Sequence, residues 1–248
     1  MALVAVASVK GAPGVSTIAL SLAATWSRPV VLAELDPDGG DIRYRLRAED
    51  GDPLVAELGL VSFAAGVVDG ANPLEHVQTL PGGLRVMVGV SSAVEVDEME
   101  GRWASIGALL DAVPDSDVIA DCGRLHSYTP VENVLPFASG LLVLTRPTVD
   151  GVAHLRSRLT TLSVELPTFV AVVTGAGDRR SAREVQAVLN EAKLSATVLG
   201  TIAYDPAGAG TLAGEWSGRL NSSPLMRTAR ELGHQLRRSL DEVATVSA

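Results

Sequence analysis

The sequence predicts a doubly wound α/β protein, a mostly parallel sheet with helices on both faces. Three observations carry this. Apolar runs rich in Val, Ile and Leu alternate with helix-period segments almost from end to end. Most of these runs are continuous rather than alternating, as in strands buried on both faces of a parallel sheet. The unusual polar residues fall just after the runs, at the strand ends where such sheets hold ligands.

Taken in order, strands are expected at Leu3–Val9, Val30–Leu35, Leu84–Val90, Asp117–Asp121, Gly140–Thr145, Thr168–Thr174 and Ala196–Ile202. Helices are expected at Ser16–Trp26, Val94–Ala112, Val131–Phe137, Asp150–Leu162 and Ser181–Ala192, where apolar residues recur at helical spacing. A shorter helix near Ala207–Trp216 precedes a last one over Leu225–Val243, whose Leu225, Met226, Ala229, Leu232, Leu236 and Leu240 form one apolar face. Asp36–Pro53 is polar and glycine-containing and reads as a mobile loop. Leu54–Val68 reads as a further helix or pair of helices. With no repeat, low-complexity tract or long linker, residues 1–248 read as one domain.

Composition narrows the function. Of 248 residues 47% are hydrophobic, enough for a sizeable core, yet no stretch reaches the roughly 18 uninterrupted apolar residues of a membrane span. The apolar start, Met1 to Ser8, lacks the basic leader of a signal peptide and reads as a strand. Cys122 is the single cysteine, so no internal disulfide forms and a Cys-rich zinc or iron–sulfur site lacks its ligands. A cytoplasmic protein is expected. The net charge of −9 argues against DNA or an anionic membrane as a charge-driven partner.

The most informative segment is Val6-Ala7-Ser8-Val9-Lys10-Gly11-Ala12-Pro13-Gly14-Val15-Ser16-Thr17-Ile18. A strand ends, a Lys-Gly-x-x-Gly turn follows, and a Ser-Thr pair opens a helix. Small residues let backbone N–H groups approach phosphate oxygens, and the helix N-terminus adds its positive dipole end. A hydroxyl in the first helical turn suits Mg²⁺. The strict Walker pattern fails twice, with Val9 in place of its first glycine and Val15 in place of its lysine. An ordinary βα loop capped by Ser16 remains the bland alternative for this segment alone. Strand-end carboxylates weigh against it: Asp36 closes the second strand and Asp121 the fourth, while Asp205-Pro206 follows the last.

These residues resemble the ParA/MinD family of P-loop ATPases. Lys10-Gly11-Ala12-Pro13-Gly14-Val15-Ser16-Thr17 is similar to its deviant Walker A loop, Lys-Gly-Gly-x-Gly-Lys-Thr-Thr. Glu34-Leu35-Asp36-Pro37 resembles its Asp-x-Asp-Pro, and Ile119-Ala120-Asp121-Cys122 its Walker B-like strand. Pro224 to Leu232 is loosely similar to the close of the CpaE/TadZ branch, which positions pili and secretion machinery. The resemblance implies ATP or ADP with Mg²⁺ as cofactors. It implies that Lys10 reaches phosphates across a nucleotide-dependent homodimer, and that Gly11, Ala12, Pro13, Gly14, Val15, Ser16 and Thr17 form the phosphate loop with Ser16 on the metal. Asp36 becomes the hydrolytic residue, Asp121 the outer-shell acid of the metal, and Asp205 and Pro206 part of the base pocket.

Departures qualify these implications. Val15 removes the in-chain lysine, a loss of roughly ten- to a hundredfold in nucleotide affinity for one charged hydrogen bond. Pro13 has no N–H to offer. Thr174-Gly175 stands where the family has an adenine-contacting Asn. Two readings stay open: a slow, dimer-dependent ATPase switch with impaired hydrolysis, and a non-catalytic pseudo-ATPase scaffold. Either would serve a partner of a pilus, secretion or positioning system, with recruitment to the membrane or pole only peripheral, through that partner. A chromosome or plasmid partitioning ATPase is the third reading.

The other features are read blandly. His76, His126, His154 and His234 lack metal-ligand spacing. His154, Arg156 and Arg158 read as a solvated helix face. Arg43, Arg45 and Arg47 interleave with acids, and Arg179, Arg180 and Arg183 read as exposed charge.

Overall fold

A computed structural model describes residues 1–11 and 13–246. Its strands are β1 (Leu3–Ser8), β2 (Val30–Glu34), β3 (Gln78–Thr79), β4 (Arg85–Met87), β5 (Asp117–Arg124), β6 (Gly140–Thr145), β7 (Thr168–Thr174) and β8 (Ala196–Ala203). They form one sheet in the order β3-β4-β2-β5-β1-β6-β7-β8, parallel except for the short edge pair β3–β4. Strand order reverses around β1, so a crevice opens at its carboxyl end, where open α/β sheets bind ligands.

Helices α1 (Val15–Thr25), α2 (Ile42–Arg45), α3 (Leu60–Gly66), α4 (Ala93–Glu98), α5 (Trp103–Asp111), α6 (Val149–Thr161), α7 (Arg179–Glu191), α8 (Pro206–Leu212) and α9 (Pro224–Val246) cover the sheet. Alternate strand residues feed two cores. One packs Leu3, Ala5, Val118, Ala120 and Cys122 under Phe63, Trp103 and Ile106. The other packs Val4, Val6, Leu32 and Ile119 under Ile18, Leu22 and the α9 face of Leu225, Ala229, Leu232, Leu236 and Leu240. That α9 face is therefore spent on the domain, as its helical spacing predicts. Among the described residues no helix is long and apolar enough to cross a membrane.

Several boundaries differ from the sequence expectation. Val94–Ala112 is two helices, because the chain turns left-handed at Gly101 (φ 77°) after α4 ends at Glu98. Val131–Phe137 is a 3-10 segment from Pro130 to Phe137, and Pro136 inside it cannot donate the N–H an α-helix needs. Only Leu60–Gly66 of the apolar region 54–68 is α-helical, continuing as a 3-10 turn over Val67–Asp69. The last short helix stops at Leu212 rather than Trp216, followed by Gly214 at φ 75°. The loop after β2 holds the unforeseen α2, and β5 runs past Asp121 to Arg124.

Candidate functional site

At the end of β1 the chain turns through Gly11 (φ 74°) and Gly14 (φ 91°), left-handed conformations that a side chain would strain. Ala12 lies outside the described residues. Pro13 and Val15 are buried, Ser16 and Thr17 half-buried. No side chain caps α1, and its first in-helix bond runs from Ile18 N–H to Gly14 O (2.9 Å). The first-turn amides before Ile18 therefore have no partner within the helix, and their dipole end faces the crevice. Val15 packs in the core with Val4 and Val6 and also lines part of the crevice. In place of a cation, the loop has an apolar wall.

A cavity of about 310 Å³ sits over this turn, lined among others by Gly14, Ser16, Asp36, Arg45, Gly123 and Arg124. Asp36, Asp38 and Asp41 line it as well, and two buried carboxylates lie behind it on neighbouring strands. Glu34 and Asp121 pair in register across β2 and β5 and lie on the α1 face of the sheet. Glu34 is saturated: Oε1 accepts from the amides of Asp41 (2.7 Å) and Ile42 (3.1 Å), Oε2 from that of Gly89 (2.9 Å). Burial raises its pKa, and these three N–H groups oppose the rise. Its work is to fasten the loop after β2 to the end of β4.

Asp121 is fully buried and differently placed. Oδ1 accepts from the Gly123 amide (3.1 Å), while Oδ2 has no hydrogen-bond partner. Burial pushes its pKa up to about 7; the nearby Ser16 hydroxyl lowers it without reaching full hydrogen-bond geometry, and the Glu34 charge raises it. Asp36 is half-buried at the cavity edge, its Oδ1 accepting from the Asp38 amide (2.9 Å). Burial raises its pKa as well, and Arg124 pulls it back. A β-carbon on Gly123 (φ 57°) would fall on the Asp36 carboxyl, so glycine there lets the two strand ends approach.

Lys10 does not line this cavity. Its ammonium lies 2.9 Å from Nε2 of His154 on α6. A lysine ammonium only donates, so the ring nitrogen accepts in this contact. His154 thus holds the loop lysine rather than merely facing solvent. Arg158, about one turn on along the same helix, is buried and paired with Glu132, which corrects the expectation of a solvated face at that residue, while His154 and Arg156 are exposed as expected.

Towards β8 a second cavity of about 400 Å³ is lined by Pro13, Thr17, Arg45, Tyr204, Pro206 and Trp216. Tyr204 and Trp216 remain 63% and 54% exposed, enough ring face for a flat ligand to stack on. Asp205 also lines it, but its carboxylate caps two helices, accepting from Gly208 (2.9 Å) and Leu225 (3.2 Å). Thr174 is engaged with Asp178, the N-cap of α7. Sequence reasoning passed over Trp216, Tyr204 as a platform, and Arg124. Only the aromatic character of the first two offered a signal.

The residues fit a magnesium–phosphate group. An uncapped helix terminus opens onto the cavity, an orphaned buried carboxylate oxygen lies behind it beside Ser16, and among the described residues no cluster of His, Cys, Asp and Glu could hold a metal by itself. Mg²⁺ takes one or two protein oxygens and completes its shell with phosphates and water.

No family model matches the sequence, and no curated protein does. Solved structures do. The fold is similar to a ParA family ATPase from Chlorobium tepidum TLS, with a TM-score of 0.72 and 16% identity over 95% of this chain and 99% of that one. It is similar to the septum site-determining protein MinD of Pyrococcus horikoshii OT3 in complex with Mg-ADP, with a TM-score of 0.69 and 13% identity over 100% and 98%. It is also similar to the MinC:MinD cell division complex of Aquifex aeolicus, with a TM-score of 0.61 and 15% identity over 95% and 96%. At these identities the likeness establishes the fold, which is that of the MinD/ParA P-loop structures.

Proposed function

We propose that this chain is a ParA/MinD-like nucleotide switch that binds ATP or ADP with Mg²⁺ and pairs into a homodimer. One observation carries the reading: Asp121 Oδ2, buried and unpartnered, lies beside Ser16, which lines the cavity at the uncapped N-terminus of α1. A buried carboxylate oxygen without a partner is costly, and a hydrated cation would satisfy it.

Bound Mg-nucleotide would supply a polyphosphate chain whose charge the metal shares. The amides of Gly14 to Thr17 would donate to phosphate oxygens, and Ser16 Oγ with Asp121 would hold the metal shell. Asp36, at the cavity edge, would orient the attacking water, while Tyr204 and Trp216 would take the base. Lys10, on the outer side of its loop, would serve a second copy of the chain once His154 releases it. The loose likeness of Pro224–Leu232 to the CpaE/TadZ branch supports a role in positioning or assembling a cell-envelope machine such as a Tad-type pilus, through a protein partner. All this belongs to the cytoplasm.

Burial of Val15 in the core favours a second reading, a pseudo-ATPase scaffold that keeps the fold without turnover. Calorimetric titration of ATP with Mg²⁺, alongside light scattering with and without nucleotide, separates the two. Micromolar binding with a monomer-to-dimer shift is expected of the switch. Absence of binding at millimolar ATP leaves the scaffold.

A further inference from the structure

The nucleotide reading leaves a charge deficit, since Val15 carries no charge and Lys10 is held on His154 outside the cavity. Phosphates held against this loop are stabilised by a cation, and before a second copy arrives it must come from the same chain. We propose that Arg124, the last residue of β5, supplies that cation in place of the missing loop lysine; this rests on the nucleotide reading above.

Register places it there. Val6 pairs with Asp121, yet Ser8 pairs with Arg124, so β5 carries one extra residue opposite Ala7. Such a bulge bends a strand and re-aims the side chains beyond it. Gly123 (φ 57°) takes the turn, and the Leu125 amide bonds Ser8 O at 2.8 Å, closing β5 against the start of the loop. Arg124 Nη2 consequently reaches Gly11 O (3.4 Å) and lines the cavity. Among the described residues it forms no ion pair, and its side chain is exposed to the cavity mouth.

Arg45 is the other cation on this cavity, but its guanidinium is already paired with Asp41 at 2.6 Å. Its charge is partly cancelled before any ligand arrives. Lys193 and the α7 arginines lie on other surfaces and line no part of the cavity. An arginine reaching in from a strand end also differs chemically from a loop lysine. Its planar fork can grip two phosphate oxygens at once, where an ammonium acts as a point charge.

The test is calorimetric titration of Mg-ATP into wild type, Arg124→Gln, Arg124→Lys, Val15→Lys and Arg45→Gln, each with a melting curve to check the fold. Arg124→Gln is expected to weaken binding roughly ten- to a hundredfold with an unchanged melt, and to flatten its salt dependence. Arg124→Lys should recover part of the loss, Arg45→Gln should cost less, and Val15→Lys placed in Arg124→Gln should restore affinity. Wild type and Arg124→Gln binding within twofold of each other would overturn the assignment and leave the switch standing. Binding by Val15→Lys but not by wild type would also overturn it, since the cavity would be sound and the arginine ineffective. Binding by neither would overturn the nucleotide reading and this inference with it.

Discussion

The ends of β2 and β5 carry two buried carboxylates that pair in register, Glu34 and Asp121, and they are treated in opposite ways. Around Glu34 the chain returns twice, bringing three amides to its two oxygens. Gly40 and Gly89 make room for this; a β-carbon on Gly40 would collide with the Glu34 carboxyl. Around Asp121 one amide arrives and one oxygen is left without a partner. Equal burial thus yields a fastening on one strand and an unmet demand on the next. A saturated buried carboxylate stabilises the fold, whereas an orphaned one costs stability that binding can return.

The largest expected effect comes from Asp121. Its pKa rises from 3.8 to about 7, so between those values the folded chain holds a proton that the unfolded chain releases. Stability from this group is full below about pH 4 and declines as the pH rises to about 7, by at most a few kcal/mol. Asp121→Asn should flatten that decline in urea titrations across pH 4 to 8 and raise stability at pH 8, while abolishing the Mg²⁺ dependence of nucleotide binding. A steep decline persisting in the variant would break the comparison.

Glu34→Gln should do the reverse. The new amide nitrogen cannot accept, so at least one N–H among Asp41, Ile42 and Gly89 loses its partner. A loss of about 2–3 kcal/mol is expected by chemical denaturation, with the loop after β2 loosened. An unchanged midpoint would mean that the three short bonds contribute nothing net. Gly123→Ala is the smallest of the three. It places a β-carbon against Asp36 in a left-handed turn and should cost about 1–2 kcal/mol. Its sharper readout is a shift of Asp36, followed as altered nucleotide turnover or affinity at near-constant fold.

The sequence shows most of this fold because its strands are continuous apolar runs, and parallel sheets bury both faces. Leu141 to Leu144 and Phe169 to Val173 could be little else. Positions where one residue breaks a pattern were harder to read. Gly101 sits inside an otherwise helical run, and its left-handed φ falls between α4 and α5. Gly11, Gly14, Asp36 and Asp121 are legible because phosphate chemistry needs small residues and acids at strand ends. The divergence of Glu34 from Asp121 is not legible, since Gly89 is 55 residues away from Glu34 and only the folded sheet brings its amide in. Arg124 escapes for a similar reason: a one-residue bulge leaves no mark in composition, yet it decides what an arginine faces.

Cys122 sits between Asp121 and Gly123, on the opposite face of β5, fully buried in the core beneath Phe63 and Trp103. Burial, with the charges of Asp121 and Asp36 behind it, pushes the thiol well above the usual cysteine range. In the closed protein it is thus both screened from reagents and kept as the unreactive thiol. As the sole cysteine of the chain, it is a built-in clock. The rate at which an alkylating reagent consumes it counts how often the end of β5 lifts from its neighbours. Any ligand that pins that strand end will slow the count.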